Sequence, residues 1–454
     1  MKKIILLIIT IFITQISATP KLTFPTFEKI ILKNGLHIFY DLQKDNPLTY
    51  INVIIKTGQI DDPENKIGTA QLTLDLIDTH TKKYPNESIE EILSFEGTAL
   101  QRSSQSFNSN LNIKINSKKD PIAYNIISSC LTEPQFSDKI LAREKKQWIT
   151  TLKEEKTNAE YISKKQALKL LFNQPHSIKN QPSIKSVSKI NQSDINTFHK
   201  TYFTPENIEI YIIGNTSIKK IKKHLVEPLE KLNKGSKKIQ KKIDINPKEE
   251  LIVINKPNTT QTTITLLSQS PLLNTKEFYY HRMLNYVLGA ASFSSRLTKS
   301  IRAKLGNTYS INSYFESEPK YGLFWINTFT KNETALLTLK EIHRCIDKIA
   351  KSGITETELQ KAKSYYLGNL PIRYETPFQK TNRLIYGHLQ GLNKQQVESE
   401  LIYLNQLKLD EINTYIKTYF KTNKFKTTIV TNTEKIKLDE LKSIYKLIQL
   451  KDVQ

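Results

Sequence analysis

Hydrophobic and polar residues alternate along several short stretches of the chain, which is the pattern of half-buried β-strands. Within residues 27–40, two β-rich runs flank Asn34-Gly35, a dipeptide that strongly favours a tight hairpin turn. Further strands are predicted for residues 49–56 and 107–115. These patterns indicate that the first part of the chain builds a largely antiparallel sheet.

Between these strands, apolar residues recur with helical spacing. Ala70, Leu74 and Ile77 fall near one face of a helix predicted for residues 67–79. Further helices are predicted for residues 121–131, 138–155, 161–172 and 192–202. A strand over residues 208–213 then completes a unit of about two hundred residues.

Another helix is predicted for residues 88–95, where Ser88 is followed three residues later by Glu91. This spacing is typical of a capping box, in which the two side chains bond to backbone N–H groups at the start of the helix. We therefore expect Ser88 to cap this helix.

The second half of the chain runs through a similar order of predicted strands and helices, after a Lys-rich stretch that ends at Pro247. We interpret that stretch as a linker. The predicted fold class is α+β, with two structurally similar lobes, each a mainly antiparallel sheet with helices packed on one side. The predicted boundaries are a first lobe over 25–232, a linker over 233–247 and a second lobe over 248–454.

The first residues have the pattern of a secretory signal peptide. Lys2 and Lys3 precede an apolar stretch that is too short to be a comfortable membrane span, and Ala18 ends a plausible cleavage site. We predict a signal peptide over residues 1–18, an exported and periplasmic protein, and no stable membrane span after cleavage. An uncleaved amino-terminal anchor is the alternative.

The amino-acid composition argues against several classes of protein. The 454 residues carry a formal net charge of +23, and 38% of them are hydrophobic, which is enough for packed cores. The lysines are scattered along the whole chain, whereas a nucleic-acid site more often has arginines clustered with aromatic residues, so we expect no nucleic acid. Cys130 and Cys345 are too few for a disulfide framework, and we expect each to be a small buried group.

The predicted helix over 67–79 also contains the residues that bear on a possible catalytic site. The stretch Gln71-Leu72-Thr73-Leu74-Asp75 follows a strand and a glycine. In this position it resembles the H-x-x-E-H helix of the insulinase/pitrilysin-type zinc peptidases, with Gln71, Leu74 and Asp75 standing where His, Glu and His would be. The resemblance spans most of residues 25–435, including the Tyr-x-x-Pro-x-Asn turn at residues 202–207.

The residue types at these positions do not suit the family's chemistry. Positions i, i+3 and i+4 share one helix face, where the family's two His bind zinc and its Glu activates a water molecule. A Gln amide is a poor zinc ligand, and Leu74 cannot take a proton. Asp75 alone makes no metal site.

The family's third zinc ligand is a Glu on a later helix, and the matching position here is Thr151. The eight His of the chain offer no replacement, since the closest two, His176 and His199, are too far apart to lie one helical turn from each other. We therefore predict a chain without a catalytic site, a bound metal or another cofactor.

A second motif lies in the second lobe. Residues 288–311 contain a glycine turn, a Ser-Arg-Leu helix and an R-x-x-x-G-x-x-Y stretch, and all three resemble the family pattern. In active members the Arg and Tyr of that stretch help to hold the peptide backbone, which implies substrate-binding roles for Arg302 and Tyr309. Alternatively, Arg302 pairs with a nearby acid and Tyr309 belongs to the core.

The resemblance implies a function. Some family members, including the mitochondrial processing peptidases and paired bacterial forms, combine one active chain with one zinc-less chain. We therefore expect a non-catalytic subunit that forms a heterodimer with a catalytic zinc peptidase of the same family and contacts the peptide substrate. A stand-alone peptide-binding or chaperone-like module is the alternative, and a basic anion-binding protein is a weaker one.

Overall fold

A computed structural model describes residues 22–235, 238, 243–445 and 448–452 of the chain. The predicted signal peptide over 1–18 lies outside these residues, as does part of the predicted linker, so those assignments and the lobe boundaries stay predictions. None of the helices in the described part of the chain is both long and apolar enough to cross a membrane.

The first lobe contains a six-stranded sheet with the spatial order β1-β2-β6-β3-β5-β4. Its strands are β1 Glu28–Ile31, β2 His37–Leu42, β3 Leu48–Ile55, β4 Gln101–Ser104, β5 Ser109–Asn116 and β6 Ile208–Gly214. Only the β2–β6 pair is parallel among its neighbours. The predicted hairpin is present between β1 and β2, where Gly35 takes a φ of +94° that favours glycine.

The second lobe contains another six-stranded sheet, with the order β12-β7-β11-β8-β10-β9. Its strands are β7 Glu250–Asn255, β8 Gln261–Gln269, β9 Ile311–Ser317, β10 Gly322–Lys331, β11 Lys426–Thr431 and β12 Ile448–Asp452. Strands β2 to β6 and β7 to β11 occupy equivalent places, and the two sheets differ in their last edge strand, which is antiparallel β1 in one and parallel β12 in the other. The predicted two-lobed α+β fold is confirmed.

Helices of both lobes connect these strands. Those of the first lobe are α1 Thr69–Leu76, α2 Ser88–Phe95, α3 Asp120–Thr132, α4 Asp138–Glu155, α5 Ala159–Leu171, α6 Ser177–Asn180, α7 Ile184–Ser188, α8 Gln192–Tyr202, α9 Ile218–Ile221 and α10 Glu227–Leu229. Those of the second lobe are α11 Lys276–Asn285, α12 Ala335–Ser352, α13 Glu356–Arg373, α14 Pro377–Leu389, α15 Lys394–Glu398, α16 Glu400–Gln406, α17 Leu409–Tyr419 and α18 Leu438–Ile444. Three further segments are π-helical, namely Lys222–Val226, Tyr286–Ala290 and Thr298–Lys304.

Helix α2 begins at Ser88 as predicted, but the predicted capping box is wrong. The residue before the helix is Glu87, at a φ of +60°, and no side chain caps the first turn. The Ser88 hydroxyl is buried without a hydrogen-bond partner.

The cores lie between each sheet and the helices of its own lobe. On β3, Ile51, Val53 and Ile55 point into the first-lobe core, whereas Ile54 points to the opposite face of the sheet. Cys130 is buried in the same core and Cys345 in the second-lobe core, as predicted, and both are free thiols.

One helix from each lobe crosses onto the sheet of the other. Helix α5 of the first lobe packs on β8 and β11, where Ser163 and Thr428 join their hydroxyls at 2.6 Å. Helix α14 of the second lobe packs on the first sheet, with Ile385 against Ile54 and Tyr211. The centre of each sheet is therefore covered on both faces, which explains why the central strands β6 and β11 are buried along their whole length.

Candidate functional site

The start of helix α1 is held by an acidic side chain that precedes it. The carboxylate of Asp62 accepts hydrogen bonds from the N–H groups of Gly68, at 2.8 Å, and Ala70, at 2.7 Å. Gly68 has a φ of +114°, and a Cβ atom there would lie 2.8 Å from the ring of Trp148 on α4. The glycine thus lets α1 approach α4, the helix that carries Thr151.

Helix α1 presents three different faces. Leu74 is fully buried in the first-lobe core, between the helix and its sheet. Leu72 and Leu76 pack on the other side, in a cluster shared with α4. Gln71 and Asp75 form the third face, which is partly buried and lies beside β4.

Gln71 and Asp75, the two residues predicted to stand at the histidine positions, bond to each other. The side-chain amide of Gln71 donates to a carboxylate oxygen of Asp75 at 2.8 Å. Burial raises the pKa of Asp75 to about 6, although this hydrogen bond and the nearby guanidinium of Arg102 oppose the rise. Glu144 on α4 also lies close enough to raise the pKa of Asp75.

Arg102, on strand β4, supplies a positive charge beside this face. Its guanidinium donates to the main-chain carbonyl of Asp75 at 3.5 Å and pairs with the carboxylate of Asp78, which lies one turn further along the chain. The pKa of Asp78 is raised by burial, and the pairing with Arg102 opposes that rise. The positive charge of Arg102 therefore balances part of the negative charge of Asp75 and Asp78.

Thr151 lies on the exposed surface of α4, where its hydroxyl donates to the main-chain carbonyl of Gln147 at 3.4 Å. In the described part of the chain, no group of three or more His, Cys, Asp or Glu residues could hold a metal ion. A threonine hydroxyl, a core leucine and a Gln–Asp pair closed on itself do not fit zinc. The four positions that the sequence resemblance singled out therefore offer no zinc site in this geometry.

In the second lobe, the turn needs a glycine at position 289 because its backbone lies very close to strand β9. A Cβ atom on Gly289 would collide with the side chain of Ser313 on β9. The Ser313 hydroxyl also donates to the amide oxygen of Asn285 at 2.6 Å, which fixes the turn to the edge of the sheet. The turn and the π-helical segment after it therefore sit against the edge strand β9.

The arginine of the Ser-Arg-Leu helix has a structural role. Arg296 forms two hydrogen bonds to the carboxylate of Glu358, at 2.8 and 2.6 Å, and one to the main-chain carbonyl of Gly353 at 3.0 Å. This arrangement ties the turn to the start of α13.

Arg302 and Tyr309 are placed differently from Arg296. The guanidinium of Arg302 lies over the ring of Phe293, 4.7 Å from its centroid, and both side chains are exposed. Within the described ranges, no carboxylate is at ion-pair distance from Arg302, whereas Arg344 nearby pairs with Glu341. Tyr309 is 81% exposed, so it is not part of the core.

Arg302 also lines an open cavity of about 340 Å³ beside the edge strand β9. Its other walls come from the glycine turn and the start of β9, including Ser292, Ser310 and Tyr314. Tyr309 directly precedes this wall in the chain. The sequence motif did not identify Phe293 as part of the candidate site. An aromatic residue within a motif of small residues is the signal that could have identified it.

Comparisons with known proteins identify the family of the chain. Residues 41–179 match the model of the insulinase family, peptidase family M16, and residues 189–366 match the model described as the peptidase M16 inactive domain. The chain belongs to the M16 family. The predicted resemblance is thereby confirmed.

Two M16 relatives resemble the chain over nearly its whole length. The "non-peptidase homolog YmxG" of Helicobacter pylori is 22% identical over 404 residues, which cover 88% of this chain and 93% of the relative. A crystal structure titled as a peptidase M16 inactive domain, from Pseudomonas fluorescens, has a TM-score of 0.81 at 20% identity and covers 90% of this chain and 98% of that one. The matches to this relative and to the M16 inactive domain identify the chain as a non-catalytic member of the family.

A longer structure shares the fold as well. The periplasmic protease PqqL of Escherichia coli has a TM-score of 0.76 at 14% identity, and the match covers 91% of this chain but only 46% of PqqL. One M16 unit of the size of this chain thus corresponds to about half of that protease.

Proposed function

We propose that this chain is the zinc-less subunit of a two-chain peptidase. Its partner would be an active zinc peptidase of the same family, exported to the same periplasmic compartment. In this assembly the chain supplies one wall of the chamber and contacts to the peptide backbone. The partner supplies the zinc and the catalytic base.

The observation that carries this proposal is the contrast between the two motifs. In the first lobe a core leucine stands at the predicted position of the base, and the Gln71–Asp75 pair stands at two predicted ligand positions. In the second lobe Arg302 and Tyr309 are exposed, and Arg302 is held by an aromatic ring rather than by an acid. An Arg fork and a Tyr hydroxyl are suited to bind carbonyl oxygens of an extended peptide.

The size of PqqL is consistent with such an assembly, because that protease is about twice as long as this chain and one unit of this fold covers 46% of it. This chain has one pair of lobes, so it would need a second unit of the same size to enclose a chamber like that of a protease twice as long. Two separate chains of this size would meet that need.

The first experiment is a pull-down of the tagged mature protein from its native extract, with the eluate assayed for zinc and for cleavage of a mixed peptide pool. Zinc and activity that arrive with a second chain carrying H-x-x-E-H support the proposal. A lone, zinc-free and inactive chain would instead favour a stand-alone peptide-binding module. Stoichiometric zinc on the lone, active chain would contradict the proposal.

The second experiment tests the contact residues in the isolated complex. Arg302→Ala should reduce peptide cleavage roughly tenfold, since a lost hydrogen bond to a charged group has about that effect, and the complex should stay assembled. Arg373→Ala is the matched control, because Arg373 is also exposed but lies at the end of α13. Equal turnover by the Arg302→Ala complex and the wild type would exclude a substrate-binding role for Arg302.

A further inference from the structure

Phe293 is an aromatic residue that the second lobe does not bury. Its side chain is 69% exposed, whereas Leu288 and Leu297, which flank it in the chain, are fully buried in the second-lobe core. The hydrophobic effect stabilises a ring only as far as the ring is removed from water. Packing of the core therefore does not explain an aromatic residue at this position.

The turn that carries Phe293 is held in a fixed conformation. Ser292, just before it, has a φ of +46°, a value that residues other than glycine rarely adopt. The hydroxyl of Ser294 donates to the carbonyl of Ala291 at 2.9 Å, and the hydroxyl of Ser295 donates to the carbonyl of Ser292 at 3.1 Å. Backbone of this kind persists only where the surrounding contacts determine it, and it is found most often at functional sites. The turn thus presents the ring of Phe293 in one defined place on the surface.

The ring of Phe293 lies against the guanidinium of Arg302, whose central carbon is 4.7 Å from the ring centroid. Arg302 belongs to the π-helical segment Thr298–Lys304, so the turn and this segment meet at the pair. In such cation–π contacts a guanidinium stacks through its flat face. Its five N–H groups point outwards in the plane of the group, so the ring leaves all of them free.

Other arginines of the second lobe are held in a different way. Arg296 donates to the carboxylate of Glu358, and Arg344 donates to the carboxylate of Glu341. A carboxylate holds an arginine by occupying the same N–H groups that would bind a peptide. Among the described residues, the guanidinium of Arg302 has no hydrogen-bond acceptor, and it lines the open cavity beside β9. Only a ring can restrain this side chain and keep its donors available.

An exposed arginine side chain loses much conformational freedom when it binds a ligand, and a contact that restricts it beforehand reduces that loss. We propose that Phe293 is a positioning residue, whose ring holds the guanidinium of Arg302 at the cavity with its N–H groups free for the carbonyl oxygens of a peptide. This inference rests on the proposed function of Arg302, and it adds the residue that prepares Arg302 for binding.

The stack can be measured on the mature protein alone, by the rate at which phenylglyoxal modifies Arg302, followed by peptide mass spectrometry. Phe293→Leu keeps an apolar side chain but removes the aromatic face, so Arg302 should react about threefold faster. Phe293→Trp offers a stronger face and should slow the reaction below the wild-type rate. The exposed Arg373, at the end of α13, is the internal reference and should react equally in all three proteins. Equal rates at Arg302 in Phe293→Leu and the wild type would overturn the proposal.

The effect on binding is measured in the two-chain complex, with a tryptic digest of casein as the peptide probe. At limiting peptide, Phe293→Leu should lower the cleavage rate about threefold. At saturating peptide the rate should be nearly unchanged, because the variant weakens binding and not the chemical step. Phe293→Trp should cleave at least as fast as the wild type. Phe95→Leu, which changes a phenylalanine of the first lobe that is 87% exposed, is the matched control and should leave cleavage unaltered.

A double-mutant cycle separates an effect through Arg302 from a direct contact between the ring and the peptide. In the Arg302→Ala background, Phe293→Leu should cause no further loss of cleavage. A loss of equal size in both backgrounds would show that the ring acts on the peptide itself, which would refute the positioning role. If Arg302→Ala lowers cleavage but Phe293→Leu does not, the positioning role fails while the proposed function of Arg302 stands. If Arg302→Ala has no effect, both fail together.

Discussion

Gln71 and Asp75 face each other across one turn of helix α1, joined by a hydrogen bond of 2.8 Å, at the two positions where the sequence resemblance predicts the family's zinc-binding histidines. The pair satisfies its own hydrogen-bonding groups and leaves Leu74 between them, buried in the core. The Gln71–Asp75 pair is therefore a partly buried polar contact on the outside of the first-lobe core.

The Asp75 carboxyl predicts a specific dependence of stability on pH. Its pKa is raised from 3.8 to about 6 by burial, so between these values the folded state binds more protons than the unfolded state, and the free energy of unfolding falls as pH rises. Above pH 6 this loss is complete. Asp75→Asn keeps the acceptor for Gln71 and removes the buried charge, so it should stabilise the protein at pH 7 by roughly 1–2 kcal/mol.

Urea titrations of Asp75→Asn and the wild type from pH 4 to pH 8 test this prediction. The difference in unfolding free energy should be near zero below pH 4, grow up to pH 6 and then stay constant. Asp41→Asn is a suitable control, because Asp41 lies on β2 and bonds to Gln43 near the surface. A difference that is independent of pH would mean that Asp75 is ionised normally in the folded protein.

Leu74 gives a second prediction. Leu74→Glu, which introduces the acid that the resemblance predicts for an active peptidase, places a carboxylate in the first-lobe core, where it has no partner, and should lower the unfolding free energy by about 3 kcal/mol or more. Leu74→Met conserves the volume and should cost less than about 1.5 kcal/mol. Chemical denaturation measures both, and a harmless Leu74→Glu would show that position 74 reaches solvent.

A buried ion triad in the second lobe gives the third prediction. Glu400 accepts from Arg282 at 2.6 Å and from Arg383 at 2.8 Å, and it joins helices α11, α14 and α16. Glu400→Gln leaves two buried guanidinium groups without an anion, so it should destabilise the protein by about 3–5 kcal/mol.

The matched control for this triad is Glu358→Gln, which breaks the more exposed pair with Arg296 and should cost only about 1 kcal/mol. Replacing all three buried residues by apolar ones, with Arg282→Met, Arg383→Met and Glu400→Leu, should recover much of the lost stability. Failure of the triple variant to recover would mean that the triad orients α14 as well as neutralising charge.

The sequence predicted those features that depend on local chemistry. Asn34-Gly35 specified the first hairpin because glycine takes the positive φ that the turn requires. The apolar spacing of Ala70, Leu74 and Ile77 specified the buried face of α1, and all three residues lie in the first-lobe core. The exposure of Arg302 and Tyr309 could not be predicted, because the motif alone also fitted an ion pair and a core tyrosine.

The packing of one helix from each lobe on the sheet of the other lobe also could not be predicted from the sequence. Ser163 and Thr428 are 265 residues apart, and nothing near either residue indicates that their hydroxyls meet. The same holds for Arg102, whose place beside Asp75 depends on how β4 lies along α1. Contacts between distant segments arise from packing of whole elements and leave no local pattern.

The contact of α14 with the first sheet gives the last prediction. Phe378 stacks on Tyr50, with ring centroids 5.1 Å apart, and the neighbouring Asn382 accepts a hydrogen bond from Asn52 at 3.1 Å. Phe378→Ala removes the stacked ring at this joint between the lobes, so it should lower the unfolding free energy by about 1–2 kcal/mol and speed proteolytic cleavage within α14. Phe95→Ala is the control, since Phe95 is 87% exposed and its loss should change stability by less than about 0.5 kcal/mol. Equal stability of the two variants would show that the lobes are held together without this stack.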